Sequence, residues 1–200
     1  MYNPDIHHRR SVRLKNYDYS QNGAYFVTIC THNRECLFGK VVEGEMVVNE
    51  YGAIAGEEWL QLEMRFPNVK LDAFQIMPNH IHGIIRIVGA GLAPAVGATA
   101  RATTRATARV APTATADERA IVRAGLAPAP TVGDIIGAYK SLVYKRCLDL
   151  CKLNDVLLGK LWQRNYHEHI ISNQNSYNGI AEYIANNPKI WEEDKLWIAR

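Results

Sequence analysis

Apolar residues recur along this chain in two rhythms, one of every second position and one of every three to four. Residues 24–33, AYFVTICTHN, are rich in aromatic and β-branched side chains and read as a strand. Residues 37–48 read as a hairpin turning at Glu43-Gly44. Asn49 is placed to cap a helix running towards Arg65, with Ile54, Trp59, Leu60 and Met64 on a loosely spaced apolar face, and Pro67 ends it. Residues 69–77 and 80–88 are two further strands joined by a tight turn at Pro78-Asn79. Asp134 is placed to cap a helix reaching about Leu150, with Ile135, Ile136, Tyr139, Leu142 and Val143 along one side. Residues 161–171 read as a last strand, and Asn175 opens a final helix that Pro188 stops. Strand, helix, strand, strand, helix, strand is the order of a ferredoxin-like α+β fold: an antiparallel sheet with helices on one side, here followed by a C-terminal helix.

Residues 89–132 break both rhythms. Ala, Thr, Pro, Gly and Arg dominate them, AGLAPA occurs twice, from Ala90 and from Ala124, and aromatics are missing. Such a composition buries too little apolar surface to offset the entropy of ordering it. The expected organisation is one domain over 1–200, interrupted at 89–132 by a flexible, low-complexity insertion.

Composition narrows the class only modestly. An apolar content of 48% and an aromatic content of 9% are ordinary for a globular protein. No run of 18 apolar residues offers a membrane span, and the N-terminus lacks the apolar stretch of a secretory signal, so the expected location is the cytoplasm. Cys30, Cys36, Cys147 and Cys151 contain no CxxC pair and read as reduced thiols. The net charge of +3 lies within the insertion, with five arginines against two acids, while 18 basic residues balance 18 acidic ones elsewhere. Nucleic-acid binding would therefore have to come from local patches. Arg9, Arg10, Arg13 and Lys15 form a basic arm suited to phosphates, Tyr17, Tyr19 and Tyr25 are candidates to stack on bases, and Gln163-Arg164 is a second candidate contact.

The sharpest chemical signal is MPNHIHGIIRIV, residues 77–88. On a strand, His80 and His82 point to one face and Ile81 to the other, into the core. Two imidazoles side by side suit a divalent metal; two unrelated surface histidines are the plainer alternative. A histidine-triad hydrolase would need a third histidine at position 84, which is Ile. His167 and His169 in YHEH share strand spacing and read as polar decoration of an exposed strand end. The second signal is YNGIAEYIANNPKIW, residues 177–191, where Tyr177, Ile180, Ala181 and Ile184 fall at helical core spacing. Tyr183 stands at the edge of that stripe, and Asn187 follows one turn later on the same face. A partly buried tyrosine beside a helix stop is the alternative.

These motifs resemble the REP-associated tyrosine transposases, within the single-tyrosine HUH superfamily. The matching pieces run in order as RRSVRLKNYDYSQNGAYFVTICTHNRECLFG, MPNHIHGII, GDIIGAYKSLV, LWQRNYHEHIISN and EYIANNP, covering nearly the whole chain outside the insertion. The resemblance implies an HUH endonuclease fold with His80 and His82 as metal ligands, Tyr183 as nucleophile on a C-terminal catalytic helix, and Asn187 completing the metal site where many relatives carry Gln. It implies a metal-dependent single-stranded DNA endonuclease and strand-transferase, working through a 5′-phosphotyrosine with Mg²⁺ or Mn²⁺. The implied partner is single-stranded or hairpin DNA resembling a repetitive extragenic palindrome, and a homodimer is an open expectation. Two other readings stay open: a catalytically inactive nucleic-acid-binding module of the same fold, and an unrelated hydrolase using His80, His82, His167 and His169 with water.

Overall fold

The computed structural model describes residues 17–88 and 129–197. The basic arm and most of the insertion lie outside the described residues. Strand β1 (Gly23–Cys30) is followed by a hairpin of β2 (Gly39–Val42) and β3 (Glu45–Val48), then helices α1 (Glu50–Leu60) and α2 (Leu62–Arg65). Strands β4 (Val69–Met77) and β5 (His80–Ile87), helix α3 (Val132–Leu153), strand β6 (His167–Ile171) and helix α4 (Gln174–Asn186) complete the order, and a 3-10 segment, Asn187–Glu193, closes it. The four long strands form one antiparallel sheet in the order β4-β5-β1-β6, and β2 and β3 pair separately. This is the ferredoxin-like order expected from the sequence.

Alternation sorts the sheet into two faces. Tyr25, Val27 and Ile29 of β1 stand opposite Ile85, Gly83 and Ile81 of β5, and this face is buried under α1 and α3. Trp59 of α1 stacks on Phe74 and meets Tyr139 of α3 edge-on, with ring centroids 5.9 and 5.4 Å apart. The Tyr139 hydroxyl donates to the Ala55 carbonyl at 2.9 Å, tying the two helices together. Gly83 makes this packing possible: a Cβ there would lie 2.3 Å from Trp59 Cζ2. The other face carries Phe26, Thr28 and Cys30 opposite Ile84, His82 and His80, and α4 crosses it, chiefly over β4. Among the described residues no helix is long and apolar enough to cross a membrane.

Local chemistry explains most boundaries. Asn49 caps α1 by accepting from the Gly52 amide at 3.0 Å, as expected. Glu43 and Gly44 both take positive φ (52° and 77°), the geometry of a tight two-residue hairpin. Several expectations shift. Leu60 and Met64 are exposed, because the buried face of the helical stretch instead runs through Gly52, Ala55, Glu58, Trp59 and Leu62. Thr131, not Asp134, caps α3; Asp134 is its partner in a reciprocal capping box. Thr131 and the fully buried Val132, whose amide donates to the Tyr19 carbonyl, thus belong to the folded domain rather than to the insertion. The last strand is shorter than 161–171; the stretch before it makes one isolated bridge, from Trp162 to Thr31 just past the end of β1. Asn173, not Asn175, begins α4 as its cap. All four cysteines are free.

Candidate active site

His80 and His82 open β5 directly after the Pro78-Asn79 turn, and strand alternation sends both imidazoles to the face that α4 crosses. Their ring centroids lie 4.4 Å apart, and both residues are buried, as is Asn187. Each ring is oriented by a polar neighbour. Asn79 gives its amide hydrogens to the carbonyls of Arg34 and Leu196, at 3.2 and 2.7 Å. Its oxygen therefore faces His80 Nδ1, 2.8 Å away, and must accept the proton there. That tautomer leaves the His80 Nε2 lone pair bare. Thr28 Oγ1 stands 2.9 Å from His82 Nδ1 and fixes the orientation of the second ring. A partner on one ring nitrogen that frees the other is the usual support of a metal-binding histidine.

Tyr183 reaches this pair from α4. Its hydroxyl is 3.2 Å from His82 Nε2 and donates to Asp194 Oδ2 at 3.0 Å. Asp194 also accepts from Asn187 Nδ2 at 2.8 Å and from the Leu196 amide at 2.6 Å. The segment after α4 makes this possible: Asn187–Glu193 tightens into 3-10 geometry with a kink at Ile190 and turns Asp194 back over the helix end. His80, His82 and Asp194 each bring a ligand atom, all within 4.8 Å of one another, so the group could hold a metal ion. Two buried polar atoms at this spot have no hydrogen-bond partner among the described residues, His80 Nε2 and Asn187 Oδ1. Both are lone-pair donors, and a cation would satisfy both.

Electrostatics fit the same picture. Burial, aided for His80 by its neighbour His82, lowers the pKa of His80 to about 3, and burial lowers that of His82 to about 4. Both rings are thus neutral near pH 7, the form that binds metal. Burial works against the charge of Asp194, but hydrogen bonds from Asn187, Leu196 and Tyr183 and the nearby His80 hold it below the usual carboxylate value. Burial and then Asp194 push the Tyr183 phenol up to about 12.

Four residues singled out from the sequence are thus together: His80, His82, Tyr183 and Asn187. Gln163 is held by other contacts: its backbone amide donates to the Cys30 carbonyl and its own carbonyl accepts from Lys140, with the exposed Arg164 beside it. Tyr19 and Tyr25 cannot stack on bases as expected, because both are buried in the core and pack on each other. Their alternation with Val27 and Ile29 was the available signal. His167 and His169 pair with Thr28 and Phe26, which puts them on the same sheet face as His82, exposed beyond the edge of α4. Asp194 was missed, since it follows Pro188 in a stretch without periodicity.

No family model matches the chain. An uncharacterized protein of Haemophilus influenzae is 39% identical over 197 residues, covering 98% of this chain and 97% of that protein. Among solved structures, a REP-associated tyrosine transposase bound to a REP hairpin aligns over 92% of this chain and 76% of its own, with 16% identity and a TM-score of 0.49. A Deinococcus radiodurans protein described as a candidate transposase aligns over 87% of this chain and 95% of its own, with 15% identity and a TM-score of 0.44.

Proposed function

Starting from a chain that belongs to one family with the Haemophilus influenzae protein, we propose a tyrosine transposase of the HUH type, which cuts and rejoins single-stranded DNA. The observation that carries this reading is the Tyr183 hydroxyl, set 3.2 Å from His82 Nε2 and 3.0 Å from Asp194 Oδ2. A nucleophile sits directly among candidate metal ligands. His80, His82 and Asp194, with the bare oxygen of Asn187, would hold the cation. Two nitrogens and two oxygens suit Mg²⁺ or Mn²⁺, which when bound supplies Lewis-acid polarisation of the scissile phosphate.

The chain's own groups do the rest. Asp194 already accepts the Tyr183 proton in a hydrogen bond and takes it as the phenol oxygen attacks phosphorus. The new bond joins Tyr183 Oη to phosphorus, and the bond from phosphorus to the 3′ oxygen breaks. That oxygen leaves as a 3′-hydroxyl, with a proton from water, and the 5′-phosphate stays on the tyrosine. Because the phosphodiester energy is kept in that ester, attack by a second 3′-hydroxyl reverses the step on another strand. Phe26 packs edge-on against Tyr183, with ring centroids 6.4 Å apart, and supports the phenol on one side. The exposed His167 and His169, and the arm carrying Arg9, Arg10, Arg13 and Lys15, would guide a single strand or hairpin, such as a palindromic repeat, to this face.

The test is incubation of the protein with labelled single-stranded oligonucleotides and Mn²⁺, followed by denaturing electrophoresis. An SDS-resistant complex whose nucleotide maps to Tyr183 supports the reading. DNA binding without any adduct would leave the inactive binding module in its place.

A further inference from the structure

Beside the metal-facing histidines lies a cavity of about 270 Å³ that the reaction above does not use. Cys36, Gly39, Lys40, Val41, Pro78, Trp191 and Trp197 line it. It is small against the range of about 300–1,000 Å³ typical of ligand clefts, so it suits a single flat group rather than a larger ligand. Trp191 is shared between the two places: it lines this cavity, and its ring centroid is 5.9 Å from that of His80. Pro78 immediately precedes the Asn79 that orients His80. One ring therefore separates the cavity from the ligand set.

Its chemistry is selective. Two indoles and a proline ring offer flat apolar surface, Lys40 is the one cation of the lining, and no carboxylate is among the described lining residues. The neighbouring cavity, by contrast, is lined by Glu43, Glu192 and Glu193 with Lys189, and would repel a phosphate backbone. Aromatic side chains beside a single positive charge are the means by which proteins bind unpaired bases, stacking the base while the cation meets its phosphate. We infer that this cavity is a subsite for one nucleobase of the DNA strand, adjacent to the phosphate that reaches Tyr183. The inference rests on the DNA-cutting reading.

Two measurements on the full chain test it, both in EDTA so that no cutting intervenes. In the first, fluorescence anisotropy reads the binding of a dye-labelled single-stranded DNA pool and of an abasic deoxyribose-phosphate strand of equal length. Trp197, 40% exposed near the chain end, can be changed with little risk to the core. Trp197→Ala is expected to weaken the base-bearing strand about 5- to 150-fold, the range seen when a stacking aromatic is cut back. It should leave the abasic strand unchanged, and Trp197→Phe should restore most of the loss. In the second, the unaltered protein is alkylated at Cys36, the one half-exposed thiol beside three buried ones. The base-bearing strand should slow that reaction more than the abasic one. Equal effects of Trp197→Ala on both strands, or equal protection of Cys36 by both, would overturn the subsite while leaving the DNA-cutting reading standing. An unaltered protein that binds neither strand would overturn both.

Discussion

Replacing Tyr183 with Phe separates chemistry from architecture. The change removes one oxygen and keeps the ring against His82 and Phe26, whose centroids lie 5.2 and 6.4 Å away. The oxygen takes part in two contacts, with His82 at 3.2 Å and with Asp194 at 3.0 Å. A hydrogen bond contributes a net of about 0.5–1.5 kcal/mol, and less where water can replace it. Tyr183 is 38% exposed, and Asp194 keeps its donors from Asn187 and Leu196. The expected loss of stability is about 1 kcal/mol, which for a domain of this size lowers the melting temperature by about 2–4 °C. Metal binding should persist, because the change leaves every candidate ligand atom in place. Calorimetric titration with Mn²⁺, a thermal melt and the denaturing-gel adduct assay together read the three quantities. The expected result is a near-normal melt, undiminished metal affinity and no adduct. A surviving adduct would refute the role of Tyr183, and a loss of more than about 3 kcal/mol would show that the hydroxyl is structural.

His80→Ala and His82→Ala should each abolish cleavage and cut Mn²⁺ affinity by at least the tenfold that loss of a mere supporting contact brings; full cleavage by either variant would remove it from the ligand set. Gly83→Ala should destabilise the domain by about 1–3 kcal/mol, since its methyl would sit 2.3 Å from a fully buried Trp59, and an unchanged denaturation midpoint would contradict that packing. The metal-free protein should lose stability between pH 6.5 and pH 5, because His80 and His82 ionise at about 3 and about 4 when folded but near 6.5 when unfolded, so the unfolded chain binds more protons in that window. A midpoint that holds or rises on acidification would count against this. Replacing residues 91–127 by a short Gly/Ser bridge should preserve a cooperative melt, because the replaced sequence is poor in core-forming side chains while Val132 is retained; loss of that melt would show that the segment packs on the domain.

The sequence was most readable where one local rule decides the outcome. Period-two alternation placed His80 and His82 on one face and Ile81 in the core, and the Pro78-Asn79 turn fixed where β5 begins. Helical spacing put Tyr183 and Asn187 together, and the family resemblance gave them roles. It was least readable where the chain leaves periodic structure. Asp194 reaches the site only because a 3-10 segment and a kink at Ile190 fold it back, and neither leaves a pattern in composition. Tyr19 and Tyr25 differ from expectation for another reason. Tyr is equally at home stacking on a base or filling a core, and only the depth of the sheet decides between them.

The crossover between β5 and α3 leaves the sheet at Val88 and rejoins at Thr131, beside Tyr19, the opposite end of β5 from His80. From His82 to Val88 the extended chain covers roughly 20 Å, at about 3.3 Å per residue. The candidate ligand set and the crossover thus lie at two poles of the domain, held apart by the length of one central strand. The doubled AGLAPA belongs to the second of these poles. The same separation makes that crossover a natural place to graft a reporter or a targeting module, with the ligand set left to do its work at the far end.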